Sequence, residues 1–349
     1  MARLVNISDV CNEIFAGGDA PKNNMSIEKT DEFSIPIYSN GEAKNGLYGY
    51  TNFARVTEPS VTISARGTIG FAAIRNEPFV PIVRLITLTP NLTLIDIRYL
   101  YYAVQNYHFD GSGTSIPQLT VPMLKQYSFP LPEIEKQIYI STILDKVNSL
   151  ISLRKQQLAK LDKLIKARFV EMFGDCRVNN KGFEQLKGNE LFKFSSGKFL
   201  PEEKRKGCGV PVYGGNGIAW YTDTFLIEYP TIIIGRVGAQ CGNIHLVTEP
   251  VWITDNAIYI QEQKTDKFRL KFLSELMIIM NFYQYADFSG QPKITQKPLE
   301  NTSYLVPPVK LQEQFSDFAG RVDQHKLTIQ QSLDTLEVLK KSLMQEYFG

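Results

Sequence analysis

An α+β fold of two duplicated mixed α/β globules, separated by two long helices that pair as an antiparallel coiled coil, follows from three features of the 349-residue sequence. One is a run from Glu133 to Gly174 that holds no proline and no glycine before its last position, with apolar residues at alternating steps of three and four. Another is the return of that run in the same register 175 residues later. The third is that the text preceding each run is itself a copy, with its turns and strands in the same order.

The first seam runs through Leu144, Val147, Ile151, Leu158, Leu161, Ile165 and Met172, interrupted by Arg154 and Arg168. A helix of that length spans roughly 60 Å at 1.5 Å per residue, so its apolar stripe needs a partner of equal length. Ala319, Val322, Lys326, Ile329, Leu333, Leu336, Lys340, Leu343 and Tyr347 supply one. The ends agree as well: Glu171-Met172-Phe173-Gly174 matches Glu346-Tyr347-Phe348-Gly349, each closing on a glycine suited to the left-handed position after a helix. Two such helices in one chain can pair antiparallel, because the second globule gives the chain room to turn back.

Four segments follow: a first globule over 1–132, a spacer helix over 133–174, a second globule over 175–308 and a second spacer helix over 309–349. In the first globule, Arg3 to Phe15 suits a short strand or helix, and Gly17 to Lys22 is a turn. Ile35-Pro36-Ile37-Tyr38, Val61 to Ser64 and Val80 to Thr89 read as strands, rich in β-branched residues. Ile97 to Tyr107 reads as a helix, Gly111 to Thr120 as a loop, and Phe129-Pro130-Leu131-Pro132 as an extended lead into the long helix. The second globule repeats this order. Val210-Pro211-Val212-Tyr213 answers Ile35 to Tyr38, the glycine turn Ile234 to Gly242 answers Ser64 to Gly70, and Ser289 to Thr295 answers Ser112 to Thr120.

Composition is ordinary for a soluble globular protein, 43% hydrophobic and 21% charged. No apolar run approaches twenty residues and the N-terminus lacks the apolar core of a signal peptide, so the expected location is the cytoplasm, with no membrane contact. Cys11, Cys176, Cys208 and Cys241 lack metal-ligand spacing, and His108, His245 and His325 do not cluster, so no metal site is expected. Net charge is +2, and neither globule is strongly basic: 1–132 carries 10 Lys/Arg against 11 Asp/Glu, and 175–308 carries 15 against 14. Nucleic-acid binding would therefore need charge concentrated on one face or supplied by a partner.

Catalytic signatures are missing. Gly197-Lys198 is followed by Phe199 rather than Ser or Thr, so there is no phosphate-binding loop, and no Gly-x-Ser-x-Gly elbow or His-Glu-x-x-His helix occurs. Gly214-Gly215-Asn216-Gly217 reads as a turn.

The duplicated globule plus long helix, Gly235-Arg236-Val237-Gly238 with Gly242-Asn243-Ile244 after it, a strand at Trp252 to Ala257, and the Ser-Gly-x-Pro loop before a Pro-Pro lead into the helix resemble the specificity subunits of type I restriction-modification systems. The resemblance covers essentially the whole chain. It implies a non-catalytic subunit whose globules are target-recognition domains, each reading one half of a split, asymmetric duplex DNA sequence. It also implies that the helices set the gap and dock two methyltransferase subunits, which bring S-adenosylmethionine; restriction subunits with ATP and magnesium can join. This chain itself is expected to bind no cofactor. The rival class is a two-headed coiled-coil scaffold for peptide or sugar ligands, which suits the near-neutral globules but leaves copied, divergent heads unexplained.

Candidate DNA contacts lie on the turns. Arg66 and Arg236 sit in the matching glycine turns and suit guanine or a phosphate; their presence in both copies favours a structural or phosphate role. Gln118 and Gln240 suit adenine, or cap their own loops. Lys293 beside Gln291 and Pro292, and Lys204-Arg205-Lys206, suit phosphates, or are solvated loops. The copies disagree most between Asn40 to Tyr50 and Gly214 to Thr222, which nominates Tyr48, Tyr50, Asn216, Trp220 and Tyr221, with packing the safer role for Trp220. Lys22, Lys44, Thr68 and Lys198 complete the set. On the outer helix face, Lys155 and Lys163 are expected to meet the methyltransferase.

Overall fold

The computed structural model describes residues 3–107 and 118–349. The chain divides into two compact units, Met1–Lys155 with Gln331–Gly349, and Gln156–Gln330. Most of the glycine-rich loop expected over 111–120 lies outside the described residues, as does His108.

In the first unit the strands are β1 (Arg3–Asn6), β2 (Cys11–Ala16), β3 (Ile35–Tyr38), β4 (Leu47–Thr51), β5 (Ser60–Ile63), β6 (Ala72–Arg75), β7 (Val80–Pro81), β8 (Ile86–Pro90) and β9 (Ser128–Leu131). The helices are α1 (Ile97–Gln105), α2 (Val121–Lys125) and the start of α3 (Ile134–Phe173). Four strands form an antiparallel sheet in the order β2-β8-β5-β6, three form β4-β3-β7 with β3 and β7 parallel, and β1 pairs with β9. All four residues of β5 are buried although Ser-Val-Thr-Ile alternates polar and apolar: Val61 and Ile63 enter the core, and the Ser60 and Thr62 hydroxyls are satisfied by Thr89 and by Arg75 with the Ala73 carbonyl. Asp96 caps α1 by accepting the Arg98 and Tyr99 N–H groups.

The second unit repeats that plan. Its strands are β10 (Glu184–Lys187), β11 (Phe192–Ser196), β12 (Val210–Gly214), β13 (Gly217–Thr222), β14 (Thr231–Gly235), β15 (Ile244–Val247), β16 (Trp252–Ile253), β17 (Ala257–Gln263) and β18 (Ser303–Val306). Its helices are α4 (Gly188–Leu191), α5 (Leu270–Met280), α6 (Gln296–Asn301) and α7 (Val309–Phe348), the last of which continues into the first unit. The sheets are β11-β17-β14-β15, β13-β12-β16 and β10-β18, element for element those of the first unit. The strand expected over Trp252 to Ala257 is two strands: a turn at Asp255-Asn256, closed by the Ala257 N–H on the Thr254 carbonyl, separates β16 from β17.

Within each unit the two long helices run antiparallel. In the first, Leu144 shares a core with Met344 and Phe348, while Lys155 pairs with Glu337 at 2.9 Å. In the second, the Phe169 and Phe173 rings lie 5.5 and 5.6 Å from Phe315, while Asp162 pairs with Lys326 at 2.6 Å. Burial departs from the expected seam. The buried apolar positions on α3 are Ile140, Leu144, Val147, Ile165, Phe169 and Phe173, whereas Ile151, Leu158 and Leu161 are half-buried. The reason is geometric: two helices alone cover a narrow stripe, and deep burial occurs only where a sheet and a short helix pack on them as well.

A buried glutamine, not foreseen from the sequence, joins helix to globule in each unit. Gln137 accepts the Asp96 N–H at 2.9 Å and donates to the Leu94 and Pro132 carbonyls at 3.1 and 2.8 Å. Gln312 does the same, accepting the Arg269 N–H at 3.0 Å and donating to the Lys267 and Pro307 carbonyls, both at 2.8 Å.

Candidate nucleic-acid interface

Three pieces of chain meet at one place in each unit: the hairpin tip of the three-stranded sheet, the glycine turn of the four-stranded sheet, and the segment returning to the last short helix. In the first unit these are residues 39–46, residues 64–70, and Gln118 with Leu119. Gly67 and Gly70 have φ of 71° and 87°, which the turn requires, and Gly70 N–H closes it on the Ser64 carbonyl at 3.0 Å. The buried Leu119 donates its N–H to the Ala65 carbonyl at 3.0 Å. The second unit reproduces each contact. Gly238 and Gly242 have φ of 90° and 87°, Gly242 N–H closes on Gly235 at 2.8 Å, and the buried Ile294 donates to the Arg236 carbonyl at 2.8 Å.

That hydrogen-bond register corrects the pairing of the arginines. Counted from the closing carbonyls of Ser64 and Gly235, Arg236 corresponds to Ala65 and Arg66 to Val237; the one extra residue of the second turn lies further on, between Gly238 and Gly242. The two arginines are not one retained residue, so their shared presence no longer argues for a common structural or phosphate role. Arg66 is exposed and donates Nε and Nη2 to the Gln118 Oε1 at 3.2 and 2.9 Å, bringing two nominated residues together. Arg236 is half-buried; its N–H reaches the Asn256 carbonyl at 2.9 Å and its Nη1 the Asp255 carbonyl at 3.3 Å.

One bond of the framework is made differently. The Ala65 N–H has no carbonyl to meet, because the turn beside it is inverted: Val83 and Arg84 both have positive φ, 51° and 61°. Asn40 fills the gap, accepting the Ala65 N–H at 2.8 Å and donating to the Val83 carbonyl at 2.5 Å. A β-branched residue in the left-handed region is a strained arrangement. The exposed Arg84 rides on that turn, and sequence reasoning missed it because nothing in Val83-Arg84 announces an inverted turn.

Nearby, Lys44 and Asn45 have φ of 48° and 56°, and Arg75 holds this tip. Its buried guanidinium donates to the Asn45 carbonyl at 2.8 Å and to Thr62 Oγ1 at 3.1 Å, and lies 3.6 Å from the Tyr38 ring centroid. Burial lowers the Arg75 pKa, opposed by the neighbouring Tyr38 and Glu77. Lys44 is thus presented outward, and Tyr48 is the extra residue of a β-bulge, pushed out to 51% exposure. Lys22 and Thr68 are exposed; Tyr50 is half-buried, pairing through its backbone with Ser26.

In the second unit Asn216 occupies the two-residue turn between β12 and β13 and is linked to Gln240 through Asn243, whose amide donates to Asn216 Oδ1 at 3.3 Å and to Gln240 Oε1 at 2.8 Å. Gln240 therefore does tie its own loop, yet both amides remain exposed. His245 lies beneath the tip, its Cε1 3.5 Å from where a Gly217 Cβ would stand, and burial lowers its pKa from the ordinary 6.5. Gln291 and Lys293 are exposed, and Lys293 exchanges backbone bonds with Asp287.

The basic cluster comes apart. Of its three residues only Lys204, which is exposed, makes no ion pair with a described residue; the Arg205 guanidinium stacks 4.0 Å from the Trp220 ring and pairs with Glu202, and Lys206 pairs with Asp223. Tyr221 is half-buried and exchanges backbone bonds with Lys206. Lys198 is exposed, with both its backbone groups tied to Trp252-Ile253. On the helices, Lys155 is turned to Glu337 of α7 rather than to a free outer face, while Lys163 is exposed beside Leu164. Among the described residues no group of three or more His, Cys, Asp or Glu could hold a metal ion, and no helix is long and apolar enough to cross a membrane.

Two α+β units with one hydrogen-bond skeleton and different side chains on its turns, each ending in a long helix, define the class. The chain belongs to the type I restriction modification DNA specificity domain family, whose family description matches residues 3–163 and again 180–338. A Mycoplasma pneumoniae protein named as a type I specificity subunit, S.MpnORF89P, is 34% identical over 167 residues, 45% of this chain and 49% of that protein. The specificity subunit of the type I restriction enzyme EcoprrI of Escherichia coli is 24% identical over 311 residues, 82% of this chain and 75% of that one. The match thus spans about half the first relative's length. The crystal structure of a type I restriction-modification S subunit from M. genitalium superposes with a TM-score of 0.65 at 18% identity, covering 100% of this chain and 96% of that one. Nothing in these likenesses supports the peptide or sugar scaffold.

Proposed function

We propose that this chain is the DNA sequence-specificity subunit of a type I restriction-modification complex, each unit reading one half of a bipartite, asymmetric duplex target. One observation carries the reading. Both units keep the same backbone bonds that close the glycine turn and join it to the return segment, while the hairpin tip and the side chains there differ: Lys44, Tyr48, Arg66 and Gln118 in one, Asn216, Gln240, Gln291 and Lys293 in the other. Two readers of different bases need a common frame with changed contacts. The helices set the gap and receive two methyltransferase subunits, supported by the exposed Leu150, Leu153, Leu164, Val338 and Leu339 on α3 and α7. S-adenosylmethionine belongs to those partners, and ATP with magnesium to a restriction partner; this chain carries out no chemistry and works in the cytoplasm.

The reading is tested by measuring duplex binding by the purified complex with its methyltransferase across a salt series. Replacing Lys293 or Lys204 by alanine is expected to weaken binding evenly across sequences and to lower the salt slope by about one. A binding curve that neither substitution moves, at any salt, would count against these two turns as the DNA-facing surface. Leu164→Glu is expected to abolish co-purification of the methyltransferase; an intact complex would move its docking site elsewhere.

A further inference from the structure

We infer that Arg66 and Gln118 act as a single guanine-reading element of the first unit. This rests on the half-site reading above and names the base chemistry at one position of it. A glutamine amide by itself offers an acceptor and a donor side by side, the complement of adenine N6 and N7. Here the acceptor is consumed, since Gln118 Oε1 already holds the Arg66 Nε and Nη2 hydrogens at 3.2 and 2.9 Å. What the pair still presents is donors alone, the Gln118 amide hydrogens, both hydrogens of Arg66 Nη1 and the second of Nη2. In the major groove only guanine shows two adjacent acceptors, O6 and N7.

The frame beneath the pair is fixed. Ala65, preceding Arg66, has its N–H held by Asn40 and its carbonyl held by the N–H of Leu119, which is 1% exposed and follows Gln118. The two side chains thus start from adjacent anchored backbone, which limits the entropy lost on docking. The corresponding positions of the second unit are Val237 and Lys293, a backbone bridge with no amide and no guanidinium, so this element belongs to the first unit only. Phosphate oxygens are also acceptors, and the test must separate the two.

The complex of the full chain with its methyltransferase is allowed to methylate a library of randomised duplexes, and the methylated products are sequenced. The wild-type chain is expected to give a bipartite motif with a required guanine in one half. Arg66→Ala and Gln118→Ala each relax that one position about tenfold or more and leave the other half unchanged. Gln118→Glu keeps a partner for Arg66 but replaces the outward donors with a carboxylate oxygen, and turns the preference at that position away from guanine. Each variant is read separately, so misfolding of one leaves the other two decisive. An unchanged motif with evenly reduced methylation would assign the pair to a phosphate and overturn the inference, as would an altered position that is A·T in the wild-type motif. Absence of any bipartite wild-type motif would instead sink the half-site reading itself.

Discussion

Arg75 shows how a single buried side chain sets the surface above it. It satisfies the carbonyl of Asn45 inside a tip whose Lys44 and Asn45 sit in the left-handed region, so removing it leaves that carbonyl unmet and the strain unopposed. Arg75→Met is expected to lower stability by about 2–3 kcal/mol, read by denaturant unfolding, and to weaken the first half-site more than the second. Equal loss at both halves would contradict this. His245 offers a pH signature. Its folded-state pKa is lowered by burial, so it stays neutral in the folded chain while the unfolded chain gains a proton as pH falls through about 6.5. Stability is therefore fully present above that value and is lost as pH falls from there toward the folded-state pKa. His245→Gln should flatten the slope in thermal unfolding between those values; an unchanged slope would place the pH dependence in another group. Neither residue was legible beforehand. Arg75 closes a strand without any motif around it, and His245 stood out in the sequence only for failing to cluster with other histidines.

The elements were far more legible than their joints. Strand text such as Ile35-Pro36-Ile37-Tyr38 and Val210-Pro211-Val212-Tyr213 appears as paired strands in both sheets, and the 40-residue helices end where the two glycine-terminated tails placed them. Register within turns was not legible. Arg236 stands one residue past the closing carbonyl of its turn and Arg66 two past its own, a difference that letter-matching absorbs but the hydrogen bonds do not. The clamps Gln137 and Gln312 were hidden because a glutamine on the first turn of a polar helix face reads as solvent-facing until the loop before α1 or α5 folds over it. Gln137→Leu leaves the Asp96 N–H and two carbonyls without partners in a buried site, and a loss of about 3 kcal/mol in denaturant unfolding is expected. Gln312→Leu should cost about as much in its own unit. A change below about 0.5 kcal/mol for either, the range of an ordinary surface substitution, would mean that the clamp does not hold helix to globule.

For the whole molecule, the central claim is that two different readers are spaced by copied helices. One heptad inserted at matched points near the middle of both α3 and α7 keeps the seam in phase and adds about 10 Å of helix. With 34 Å per DNA turn, the gap in the target should grow by about three base pairs while both half-sites stay the same. A lengthened chain that still recognises the original gap would show that the spacing is set elsewhere. The most direct measurement is genome-wide adenine methylation by single-molecule sequencing, in cells expressing the methyltransferase with and without this chain. The account predicts one split motif of constant gap that appears only when the chain is present. Methylation that is independent of the chain, or a motif that is continuous rather than split, would contradict it.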